Sequence, residues 1–137
     1  MTDRQLDDRQ AIVALTANYC WALDTGEYEG LREIFLPEAT AQLGSSSQAG
    51  IDEIIERVST SLAKFDGSQH MVNTHEITVE GDTATSRCYV HAQHMRRAGE
   101  EPPLFTLGGR YEDRLVRTPE GWRIRHRTLT SMWRSGE

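Results

Sequence analysis

Cysteine is scarce in this 137-residue chain: only Cys20 and Cys88 occur, and they form no C-x-x-C pair. Two isolated thiols exclude a disulfide-stapled scaffold and a cysteine-built zinc site. They read instead as reduced packing residues. Long apolar runs are also missing. No stretch approaches the roughly 20 residues a membrane helix needs, and the opening "MTDRQLDDRQ" has none of the apolar core of a secretory signal. A cytoplasmic protein without a membrane partner is the expectation. There is no basic excess either. Fifteen Lys and Arg stand against 21 Asp and Glu, a net charge of −6. That disfavours nonspecific nucleic-acid binding, which needs a cationic face. Internal repeats, low-complexity tracts and long linkers are absent, so residues 1–137 are expected to form one domain.

What is present is a period that changes once. In "DRQLDDRQAIVALTANYCWALDTGE", Leu6, Ile12, Val13, Leu15, Tyr19, Ala22 and Leu23 follow the spacing of an amphipathic helix, with Gly26 placed to stop it. "EYEGLREIF" predicts a short second helix closed by Pro37. "EATAQL" suits a short strand and "GSSSQAG" a polar loop; "IDEIIERVSTSLAKF" predicts a third helix. From Gly67 onward the period is two. Strands are expected at about 69–79, 84–97, 104–117 and 121–133, joined by turns at Gly81-Asp82, Gly99–Pro103 and Thr118–Gly121. Short links imply antiparallel neighbours. The result is an α+β fold: a curved, mostly antiparallel sheet wrapped over three N-terminal helices, leaving a concave hollow of the kind that binds small molecules.

Four of the five histidines fall within two adjacent strands: His70, His75, His91 and His94. On the strand 84–95, Ala84, Cys88, Val90 and Ala92 share a small apolar face, and His94 belongs with them. His91 alternates onto the polar face with Thr85, Arg87, Tyr89 and Gln93. The apparent H-x-x-H pair is therefore split across the sheet, which argues against a shared metal. The preceding strand is ambiguous. His70, Val72, Thr74, Glu76 and Thr78 alternate with Met71, Asn73, His75, Ile77 and Val79, and the second set is the more apolar towards the strand end. Periodicity alone does not turn His70 inward, although a bulge could re-aim it. Asp24, at the end of the first helix, reads either as a helix-stop residue in Asp-Thr-Gly or as a carboxylate that orients a histidine. Tyr19 reads as core packing with its hydroxyl at a pocket rim. His126 is expected on the inner face with Trp122 and Ile124. His75 and His91 read as structural or interfacial residues.

Three segments together resemble the SnoaL-like branch of the nuclear transport factor 2-like superfamily: "YCWALDTGEYEGLREIFLPEA", "SQHMVNTHEITVEGDTATSRCYV" and "LGGRYEDRLVRTPEGWRIRHRTLTSMW". The resemblance spans nearly the whole chain and implies a cone-shaped α+β barrel. Within that branch the sequence is most similar to the group of scytalone dehydratase, lindane dehydrochlorinase and bile-acid 7α-dehydratase. The resemblance implies that Asp24 and His70 form an acid–base pair in the pocket, with His94 as a second active-site histidine and Tyr19 as a pocket residue. It also implies departures: Leu43 stands where scytalone dehydratase has a water-holding tyrosine, and Tyr111 replaces a pocket asparagine. Arg127, in "RIRHRTL", is a candidate binding residue through the resemblance alone; strand parity sets it with Arg123 and Arg125 on a solvated face. The implied chemistry is that of a lyase or isomerase acting on a small apolar or aromatic-ring molecule without a cofactor or metal. A homodimer or homotrimer is expected. The competing expectation is a non-catalytic binding or assembly module of the same fold, with the β subunit of a ring-hydroxylating dioxygenase as a third.

Overall fold

A computed structural model describes all 137 residues. Helix α1 (Asp3–Thr25) begins at a reciprocal cap: the Thr2 hydroxyl accepts from the Gln5 backbone N–H, and the Gln5 side chain accepts from that of Thr2. It ends at Gly26, whose φ of 73° is the left-handed conformation that closes a helix. A 3₁₀ helix (Tyr28–Glu33) follows, then strands β1 (Phe35–Leu43) and β2 (Ser46–Ala49), helix α2 (Ile51–Leu62), and four long strands. These are β3 (Gly67–Glu80), β4 (Thr83–Met95), β5 (Leu104–Thr118) and β6 (Gly121–Ser135). No helix is long and apolar enough to cross a membrane.

Two expectations need correction. Pro37 does not close the second helix; it lies within β1, where the pairing with β6 is interrupted between Phe35 and Thr40. A residue without an N–H is tolerated where the ladder is already broken. "GSSSQAG" is not a plain loop either. It carries the edge strand β2, paired antiparallel with β1.

All six strands form one sheet in the order β2-β1-β6-β5-β4-β3. Every neighbouring pair is antiparallel except β1 and β6, which are parallel. The helices cover the concave face and complete a core that runs from Ile12 and Leu15 of α1, through Phe35 and Ile54, to Leu115 and Ile124. This is the cone-shaped wrapping expected of the nuclear transport factor 2-like fold.

The sheet bends at bulges, and each bulge changes which residues face inward. On β3, Asn73 pairs with Tyr89 and Glu76 with Arg87, so Thr74 and His75 together oppose Cys88. Thr74 has φ 59°, a strained value for a β-branched residue. His70 and Val72 therefore point inward before the bulge, and His75, Ile77 and Val79 after it. Both halves of the ambiguous alternation hold, each on its own side of Thr74. A second bulge lies on β6: Arg114 pairs with His126 and Leu115 with Ile124, leaving Arg125 as the extra residue. A third lies near Met132, between the Gly108 and Gly109 pairings. A Cβ at Gly108 would overlap the Trp133 ring, and one at Gly109 would strike the Thr130 carbonyl, so this corner of the barrel requires glycine.

At the base of the cone, Asp8 fastens α1 to the sheet. It takes two hydrogen bonds from Arg117 (2.7 and 2.8 Å) and one from the Trp122 indole (3.1 Å), with the Arg117 guanidinium stacked over the Trp122 ring. The Arg117 bonds, against the cost of burial, hold the Asp8 carboxyl at about 2.

Candidate active site

Asp24 is the penultimate residue of α1, where the helix dipole disfavours negative charge. Three donors compensate. His70 Nδ1 lies 2.7 Å from Oδ1, the His70 backbone N–H donates to Oδ2 at 2.8 Å, and the Ser68 hydroxyl donates to Oδ1 at 2.9 Å. Ser68 and His70 are two residues apart on β3, so both side chains meet the helix end on one face. Burial alone would raise the Asp24 carboxyl; the bonds from His70 outweigh it and the pKa lies below the usual carboxylate value. A carboxylate only accepts, so Nδ1 of His70 carries the hydrogen, and in the neutral ring Nε2 has the lone pair. Asp24 does not line the cavity beyond. His70 does.

That cavity holds about 380 Å³, and 12 of its 18 lining residues are hydrophobic. Val90 and Ala92 of β4, Leu107 of β5 and Leu129 of β6 form the sheet wall; Val58 and Leu62 of α2 face them. Leu43 lines it as well. Trp21 and Met132, large enough to plug such a space, are exposed on the surface.

His94 is buried and lines the cavity, as β4 parity predicts. Its ring stands edge-on to His70, with centroids 5.7 Å apart, and lies between Phe65 (4.8 Å) and Phe105 (5.1 Å). Nδ1 is 3.1 Å from the Phe105 carbonyl, which only accepts. Nδ1 therefore carries the hydrogen, and in the neutral ring Nε2 is an acceptor. Burial pushes His94 below the ordinary histidine pKa, more than the Phe105 carbonyl raises it.

Tyr19 and Tyr111 are both buried and both line the cavity, with their rings edge-to-face at 5.6 Å. Burial raises both phenol pKa values, Tyr111 the more strongly, so both are protonated donors at neutral pH.

Arg127 contradicts its parity. The extra residue Arg125 takes the outward position, so His126 turns to the outer face and Arg127 turns in. Arg127 has no exposed surface. It donates Nε and Nη2 to the two oxygens of Asp113 at 2.7 and 2.8 Å, directly across the β5–β6 ladder. Its guanidinium carbon lies 4.3 Å from the Tyr19 ring centre and 4.0 Å from that of Tyr111. It is not a cavity wall residue: the two tyrosines stand between it and the space. Nor does His126 lie beneath the floor. It bonds Thr40 and Thr128 on the outer side of the sheet.

His75 faces α1, with Nε2 2.8 Å from the Thr16 hydroxyl. That hydroxyl spends its proton on the Val13 carbonyl (2.7 Å), so Nε2–H of His75 is the donor. His91 is exposed against Trp133. No three His, Cys, Asp or Glu side chains come together as a ligand set. Sequence reasoning missed Asp113, although it shares parity with the inward Tyr111 and Leu115. It also missed Ser68, which shares parity with His70.

The SnoaL-like domain pattern matches residues 4–128. The chain belongs to the SnoaL-like domain family. Among its relatives, an uncharacterized protein of Mycobacterium tuberculosis is 33% identical over 132 residues, covering 92% of this chain and 86% of that one. Among solved structures, a candidate scytalone dehydratase from Novosphingobium aromaticivorans superposes with a TM-score of 0.89 at 25% identity, covering all of this chain and 92% of the other. LinA, a lindane dehydrochlorinase, superposes at 0.84 with 16% identity, covering 97% and 91%. At that identity the likeness speaks for the fold. The family and these dehydratase-like neighbours support a general small-molecule-processing role.

Proposed function

We propose that this SnoaL-like protein is a lyase or isomerase in which His70, oriented by Asp24, is the general base. The observation that carries this is the free Nε2 of His70 at an apolar cavity while Asp24 holds Nδ1–H. A base placed this way removes a proton from a carbon beside a carbonyl. The electron pair of the broken C–H bond moves into the enolate. From there it expels a β-leaving group such as hydroxide or halide, or it is protonated again at another carbon. Asp24 stabilises the imidazolium that forms. The Tyr111 and Tyr19 hydroxyls donate to the developing oxyanion. Neutral His94 presents an acceptor and so holds a substrate hydroxyl or a water rather than the oxyanion. Arg127 acts from beneath the floor by bracing both tyrosines, not by touching substrate.

The cavity's aliphatic and aromatic lining suits a ring-bearing, weakly polar substrate body. Exposed Met71, Tyr89 and Trp133 on the outer sheet face support self-association into a homo-oligomer.

The test is hydrogen–deuterium exchange at the α-carbon of cyclic ketones in D₂O, followed by NMR. Exchange catalysed by the wild type and lost by about 10²–10⁴-fold in His70→Ala is expected. Equal exchange in the two proteins, with the variant folded, defeats the proposal.

A further inference from the structure

The cavity walls carry a charge imbalance that the dyad does not use. None of the chain's 21 acidic residues lines the space, yet three of its 15 basic residues do: Arg57, Lys64 and Arg134. In a chain of net charge −6 that is the opposite of the overall balance. The three come from separate places, namely the last turns of α2, the segment just after it, and the end of β6.

Arg57 is the most constrained of them. It is half-buried, and neutral oxygens hold it: Nε donates to Ser46 at 2.8 Å and Nη1 to Ser61. It has no carboxylate partner, and Nη2 has no partner at all. Lys64 is exposed and makes no ion pair. The only acid near Arg134 is the exposed Glu137, at 3.9 Å. By contrast, Arg32, Arg87, Arg110, Arg117 and Arg127 each have an acid within 3.1 Å. A guanidinium fixed by two serines beside an apolar space, with no counter-ion, is arranged for an anion that arrives with the ligand.

We propose that the substrate of this cavity is an amphipathic carboxylic acid, its ring body against the aliphatic wall and its carboxylate on Arg57, with Lys64 and Arg134 supplying attraction at the rim. This deepens the general-base reading and rests on it only in taking the same cavity as the substrate site. Arg57 is a binding residue here and takes no part in proton transfer.

The experiment compares 2-naphthoate with 2-naphthamide, which share a ring body and differ in charge, by isothermal titration calorimetry at low salt. The wild type should bind naphthoate about tenfold more tightly or better, as a charge-assisted hydrogen bond implies. Arg57→Gln should bring the two ligands to within about twofold while leaving the naphthamide affinity unchanged. Arg57→Lys should keep part of the preference, and Arg134→Gln, on the exposed end of β6, should reduce it by a smaller factor. His70→Ala should leave it intact. Equal affinities in the wild type, no binding of either ligand, or a preference that survives Arg57→Gln overturns the subsite. So does a preference that disappears in His70→Ala, since the imidazole would then be the anion's partner. A preserved preference without any α-proton exchange sinks the general-base proposal alone; exchange that depends on His70 without a preference sinks the subsite alone.

Discussion

A carboxylate–imidazole pair and a carboxylate–guanidinium pair lie within the cone, and they are built differently. Asp24–His70 joins a helix end to a strand, and its imidazole opens onto the cavity. Asp113–Arg127 joins two strands behind the tyrosine floor, with both side chains buried. An imidazole can take up and release a proton; a guanidinium cannot. Burial opposes the charge on Arg127, but the field of Asp113 more than restores it and the pKa stays above the usual arginine value. In the proposed mechanism one pair moves a proton, and the other braces two phenols.

Substitutions should separate these roles. The largest effects are expected at the extremes. His70→Ala and Asp24→Asn should each lower turnover by about 10²–10⁴-fold with little change in Tm. Asp113→Ala should instead cost about 3–5 kcal/mol in urea unfolding, because it leaves a buried guanidinium without its partner. Similar Tm losses in both sets would erase the distinction. Next, the double variant Asp113→Leu with Arg127→Met should recover most of that stability, since an apolar pair of similar bulk avoids the desolvation of two charges. If the double variant is no more stable than Asp113→Ala, the pair does more than neutralise itself. Smaller again, Asp8→Asn should cost about 2 kcal/mol by weakening the charged bonds to Arg117 at the far end of the cone, while leaving α-proton exchange unchanged.

The mildest expected effect is on pH dependence. Burial lowers His75 and His94 below the ordinary histidine value of 6.5. In the window between that value and the folded pKa values, the unfolded chain binds more protons than the folded one. Their contribution to stability is thus full above pH 6.5 and is lost as the pH falls through the folded values. Asp24 and Asp8, both lowered, extend the same slope below about pH 3.8. His75→Gln should flatten the unfolding free energy below pH 6.5. An unchanged slope would mean that His75 titrates alike in both states.

The long periodic elements were legible in the sequence. The span of α1 with its Gly26 stop, the inward face of β4 with His94, and the outward turn of His91 all follow from spacing. The dyad was legible only through family resemblance, because the two side of β3 look alike until Thr74 is known to break the register. Arg127 and His126 exchanged places for the same reason: a period of two assumes an unbroken ladder, and Arg125 breaks it. The rim cations escaped notice because Arg57 lies outside the apolar stripe of α2, and Arg134 lies beyond the Met132 bulge, where parity had already slipped. Burial pushes the Cys20 and Cys88 thiols up to about 11, which suits the packing role read from their isolation.

The strand order has a consequence for synthesis. The sixth strand in chain order, β6, is also the one that joins β1 to β5. A nascent chain that has emerged only as far as Gly121 possesses the β1–β2 hairpin and the β3–β4–β5 meander with no strand to join them. At roughly 5–20 residues per second, both fragments wait on the ribosome with open edges. A truncation before Ile124, the first β6 residue to pair with β1, therefore divides the sheet in two rather than trimming one side of it.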